Sequence, residues 1–148
     1  MKRLNILLYL FLLSLGNSLS VHAQETPEQC QTIDFPAGWS MFSTYIVPNE
    51  NLADDVFYSL IASGNLIIVK NSNGGAFLHS WGFDNVSPVN IYEGYFIKTV
   101  NAQTFDICGE QALPEENPIL LHEDWNIMPY LRTEPANAIA ILEDIVKK

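Results

Sequence analysis

The chain has 148 residues, 48% of them hydrophobic, and carries 17 acids against seven lysines and arginines, a formal charge of −10. That length suits one ordinary domain, or one small domain with an appendage. Phosphate backbones are repelled by such a field, which argues against nucleic-acid binding.

The opening MKRLNILLYLFLLSLGNSLSVHAQ places Lys2 and Arg3 before an apolar run, Leu4 to Leu15, and ends in a small-x-small site at Val21, His22 and Ala23. This reads as a Sec signal peptide over residues 1–23, removed before folding. The apolar run of about a dozen residues falls short of the roughly 20 needed to span a bilayer, so no stable membrane insertion is expected after cleavage. Cys30, in PEQC, lacks the small apolar residues that precede a lipidated cysteine. The mature chain keeps all 17 acids but only Lys70, Lys98, Arg132, Lys147 and Lys148, a formal charge of −12. The expected destinations are the periplasm, the cell surface or the extracellular space. In such an oxidising compartment Cys30 and Cys108, the chain's two cysteines, are expected to form one disulfide.

After the polar leader QETPEQCQT, the run WSMFSTYIV is aromatic and β-branched, and PAG and PNEN bound it. This predicts a strand. Ala53, Val56, Phe57, Leu60 and Ile61 recur at helical spacing, with Asn51 as the expected cap, Asp54 and Asp55 in the first turn and Gly64 as the stop. NLIIVKNSNGGAFLHSW then reads as a β-hairpin, and YEGYFIKTV and QTFDICG as two further strands joined at Asn101 and Ala102. The expected fold is α+β: a small, mostly β module with one amphipathic helix, at residues 24–109. EQALPEENP, within residues 110–119, reads as a linker.

Residues 120–148 have the look of a second, incomplete copy. Trp39 and Trp125 lie 86 apart, Pro48 and Pro135 lie 87 apart, and the helical stripe recurs at Ala138, Ile141, Leu142, Ile145 and Val146, each 85 on. The repeat predicts a strand starting at Trp125, followed by a helix. Two explanations compete for its early end: the chain is a fragment of a longer protein, which is the preferred reading, or the partial copy docks on the first unit.

GWSMFSTYIVP, NLIIVKNSNGGAF, EGYFIKT and DWNIMPYLRTEPANAIAILEDI resemble the tandem "GWN-x-I" modules of large secreted and cell-surface Bacteroidetes proteins, covering most of Phe35 to Val146. The resemblance implies an extracellular module, often carried beside a C-terminal sorting signal for outer-membrane secretion. No such signal is seen here, in keeping with truncation. It brings no catalytic residues.

Chemistry-bearing patterns are sparse. His79 and His122 form no HExxH pair, and GxSxG, GxxxxGK[ST] and GxGxxG are all missing. The pairs Asp54 with Asp55, Glu115 with Glu116 and Glu123 with Asp124 read as helix-dipole complement, linker solvation and turn chemistry. NENLADD and NSNGG are oxygen-rich but lack the DxDxDG loop of a calcium site. No enzyme, metal or cofactor is therefore expected. Of the aromatic residues, Trp39 and Trp125 are assigned to the core, while Trp81, in HSWGFDN, and Tyr92 are the candidate ligand contacts. The reading is an exported, noncatalytic structural or adhesive module whose partner is an extracellular protein or a glycan. The alternative is a carbohydrate-binding module accompanying a polysaccharide-degrading enzyme.

Overall fold

The computed structural model describes residues 28–123 and 125–146, without the side chains of 144–146. The expected signal peptide lies outside these residues, as does Asp124. Among the described residues eight strands form two antiparallel sheets. One sheet has the order β1 (Gln29–Phe35), β8 (Gln103–Gln111), β3 (Ile46–Pro48). The other has the order β2 (Gly38–Phe42), β7 (Tyr95–Thr99), β4 (Leu66–Asn71), β5 (Ala76–Leu78), β6 (Phe83–Asp84). A helical pair, α1 (Ala53–Val56) and α2 (Tyr58–Ala62), joins β3 to β4.

The sheets share one core, threaded by aromatic rings. Phe57 stacks on Phe105 of the three-stranded sheet at 5.7 Å and on Phe77 of the five-stranded sheet at 6.1 Å, and meets Phe42 edge-on at 6.0 Å. Phe35 and Phe42 complete the bridge between sheets at 5.5 Å. These offset and edge-to-face arrangements are the ones that ring quadrupoles favour. Ala53, Phe57 and Leu60 are fully buried, so the helical stripe read from the sequence does face the core.

The helix itself is not continuous. It breaks at Phe57, whose backbone sits at φ −94°, ψ 15°, between the two short segments. Its first residue is preceded by Leu52 without a side-chain cap of its own; Ser87 Oγ accepts from Ala53 N–H at 2.8 Å. The loop after β6 thus does the work expected of Asn51. At the far end Gly64, at φ 65°, donates to Ile61 O and Asn65 donates to Leu60 O, the paired bonds of a Schellman stop.

Besides the helical pair, three short connections carry the chain from one sheet to the other: Pro36–Ala37, Ser43–Tyr45 and Val100–Ala102. WSMFSTYIV is therefore two strands, not one. Buried Thr44 turns the chain, its hydroxyl donating to Ile46 O at 3.0 Å and accepting from Ile46 N–H at 2.9 Å. Asn65 staples the β7–β8 corner, accepting from Asn101 N–H at 2.7 Å and donating to Asn101 O at 3.0 Å. Strand β1, unforeseen in the polar leader, pairs with β8 over seven residues.

The expected second copy is not supported: of its strand and helix only a helix forms, α3 (Ala138–Val146), capped by Asn137 Oδ1, which accepts from Ile139 N–H at 2.9 Å. Among the described residues, 112–137 contain no strand, and Trp125 is 98% exposed rather than in a core. The physical reason is the lack of a ladder. Ile127 O accepts from Gly94 N–H at 3.1 Å and Tyr130 N–H donates to Ser43 Oγ at 3.0 Å, isolated bonds that dock the segment without making it a strand. A small cluster of Ile91, Ala112 and Leu131, with Ile119 against it, seals the contact. No helix among the described residues is long and apolar enough to cross a membrane.

Candidate functional site

The expected disulfide is present. Cys30 and Cys108 face each other directly across β1 and β8, with Cα atoms 4.1 Å apart. It ties the edge strand β1 to the central strand of its sheet.

Trp81 ends a 3-10 turn, His79–Trp81, closed by left-handed Gly82, and is 80% exposed. His79 Nδ1 lies 2.7 Å from Asp54 Oδ1, which ties this turn to the helical pair. Beyond it, burial pulls the Asp84 carboxyl upward, but hydrogen bonds from the Ser87 hydroxyl and from Ser87 and Val86 N–H outweigh that and hold it below its ordinary value. Tyr92 stands apart from Trp81, on the wall of a groove of about 410 Å³ that Trp81 does not line. Its hydroxyl donates to Asn117 Oδ1 at 2.8 Å.

That groove runs between Asn73, Tyr92 and Glu93 on one side and residues 118–122 and 126–129 on the other. Asn126 closes its end, accepting from His122 N–H at 3.0 Å and donating to His122 O at 2.9 Å. Glu93 Oε2 is shut away from solvent without a hydrogen-bond partner. The exposed wall of the groove is mainly apolar. Nearby Tyr95 is fully buried, and burial pushes its phenol up to about 12, with the Glu93 charge adding to the rise and the Asn90 backbone opposing it.

An exposed apolar face lies elsewhere, on the outer side of the five-stranded sheet. Side chains directly opposite on neighbouring strands share a face, so the register Ser40↔Ile97↔Val69↔Phe77 builds the core side. It leaves two outer rows: Trp39, Lys98, Ile68 and Met41, Phe96, Lys70, Ala76. Trp39, assigned to the core from its sequence, is thus outside and 53% exposed, because core-facing Phe42 three residues on forces it outward. Met41 is 60% exposed and Phe96 opposite it is exposed too, while Phe83 is exposed at the far edge of the same sheet. Lys98 Nζ lies 5.6 Å from the centre of the Trp39 ring, within cation–π range.

The opposite outer face is its inverse. Thr32 donates to Asp106 Oδ1 and Thr104 to Asp34 Oδ1, both at 2.7 Å, and Glu110 stands beside them on β8. One face of the module is polar and acidic, and the other is aromatic with lysines.

Among the described residues no three of His, Cys, Asp and Glu are grouped so as to hold a metal ion. No known family model matches the chain, and no curated protein or solved structure is significantly similar to it.

Proposed function

We propose that the chain is an exported, noncatalytic adhesive module that binds its partner through the outer face of the five-stranded sheet. The observation that carries this reading is the exposure of Trp39, Met41 and Phe96 together on one sheet face, with no element of the described chain packed over them. Contiguous exposed apolar surface of this kind marks interaction sites in soluble proteins. Export is supported by the disulfide, which persists in oxidising compartments, and by the basic and apolar leader at residues 1–23.

The test is retention of the purified, exported protein on the surface of the producing cells. Wild type is expected to sediment with the cells and the Trp39→Ala/Phe96→Ala double variant to stay in the supernatant, with similar urea midpoints for both. Equal retention of the two proteins refutes this reading.

The second reading, a carbohydrate-binding module accompanying a polysaccharide-degrading enzyme, draws its support from Trp81, whose ring is 80% exposed at the tip of its turn. Glycan-array signals lost with Trp81→Ala and kept with Trp39→Ala favour it over the first.

A further inference from the structure

We propose that the aromatic and lysine face of the five-stranded sheet is a platform for an anionic polysaccharide whose sugar rings carry carboxylates. The inference rests on the adhesive reading above and names its ligand.

The register sets the pattern. Trp39 stands opposite Lys98 across β2 and β7, and Phe96 stands opposite Lys70 across β7 and β4. Aromatic and cation therefore face each other twice, one row apart, in alternating order. Lys98 and Lys70 occupy diagonal positions on neighbouring strands, which places their backbones about 7–8 Å apart. Trp39 and Phe96 make the parallel diagonal one strand over, across β2 and β7, so each ring has a lysine beside it.

Charge points to an anion. Lys70 and Lys98 are the only lysines or arginines between residues 28 and 131, and both are on this face. Strands β2, β4, β5 and β7 contain no aspartate or glutamate. Asp34, Asp106 and Glu110 lie on the outer face of the other sheet, beyond a two-sheet spacing of about 10 Å. That separation exceeds the Debye length of about 8 Å at physiological salt, so the local field over the lysines departs from the chain's overall negative charge.

The shape of the surface points to a sugar polymer rather than a protein. A stable protein interface buries about 800 Å² on each partner around a close-packed apolar centre, whereas here a lysine interrupts each of the two apolar rows. A uronate chain repeats the complementary pair in each residue: a C–H face to lie on an aromatic ring and a carboxylate to meet an ammonium.

The experiment is affinity electrophoresis of the exported protein in gels containing polygalacturonate. Fully methyl-esterified polygalacturonate serves as the same ring without the charge, and polyglutamate as the charge without the ring. Retardation by polygalacturonate alone is expected, and it should weaken as salt rises. Lys70→Gln and Lys98→Gln should each reduce affinity about two- to fivefold, and Trp39→Ala about tenfold. These side chains are not in the core, so circular dichroism and urea midpoints should match wild type. Equal retardation by polyglutamate overturns the proposal in favour of an acidic protein partner, and equal retardation by the ester overturns it in favour of a neutral glycan. No retardation in any gel also overturns it. If cell-surface retention still depends on Trp39 in that case, the adhesive reading stands and only the ligand class falls.

Discussion

Replacing both Cys30 and Cys108 with alanine isolates the contribution of the cross-link. The two residues are 78 apart in sequence, and closing a loop of that length removes about 4.5 kcal/mol of chain entropy from the unfolded state. Packing contributes little to the difference, because Cys30 is exposed and Cys108 only half-buried on the outer face. The seven-residue β1–β8 ladder remains available to hold the strands in register. For an m value of about 2 kcal/mol per molar urea, the midpoint should fall by roughly 2 M. A domain of this size has a total stability of about 5–15 kcal/mol, so the variant should be marginal but measurable in the cold. The assay is equilibrium urea unfolding of oxidised wild type and of the double variant, followed by tryptophan fluorescence and far-ultraviolet circular dichroism. A midpoint shift below about 0.5 M would refute the reasoning, since it would mean that the unfolded chain already keeps these strands together.

Three further outcomes follow from the packing. Phe57→Ala removes the ring that touches both sheets and should cost about 3–5 kcal/mol, read as a lowered urea midpoint; a loss under 1 kcal/mol would show that the ring cluster is not the core. Gly94→Ala places a Cβ in collision with Ile127 Cγ2, so residues 118–131 should be released and become cleavable by limited proteolysis, at a cost of about 1–3 kcal/mol. A protection pattern identical to wild type would sink that account of the docked segment. Tyr95 is neutral and buried, with its pKa pushed up to about 12, so its contribution is intact below pH 10, where the unfolded phenol is still protonated. It is lost as pH rises toward 12, by about 2–3 kcal/mol. Urea midpoints from pH 9 to 12 should fall more steeply for wild type than for Tyr95→Phe.

Where one element alone decides a feature, the sequence made it legible. The 3.6-residue stripe of Ala53, Phe57 and Leu60 marks a helical face whatever lies opposite, and NSNGG marks its own turn between β4 and β5. Two cysteines leave a single intramolecular pairing. The division into two sheets was not legible, because it depends on side chains that replace backbone ladders at corners. Thr44 satisfies Ile46 N–H in the middle of an apolar run, and propensity has no term for that. Strand β1 was hidden for a related reason: as a strand with one polar outer face, QCQTIDF has the composition of a leader. Trp39 was misplaced by hydrophobicity, although a signal was available. With Phe42 facing inward on a two-residue period, Gly38 and Ser40 share its side and Trp39 and Met41 must face out.

A bland account of Lys70 and Lys98 also has to be met, since lysines on β-sheets often serve to block edge-to-edge aggregation. That role belongs to edge strands, whose unpaired N–H and C=O groups are the hazard. In the order β2-β7-β4-β5-β6 the edges are β2 and β6, and neither carries a lysine. Both lysines lie on interior strands, β7 and β4, whose backbones are already paired on both sides. A cation there protects no edge. It breaks up an apolar face instead, and solubility alone would be served as well by acids, which outnumber lysines and arginines 17 to 7 in this chain. The choice of lysine at these two positions, each opposite an exposed aromatic ring, is therefore better explained by what lies on the face than by what the face must avoid.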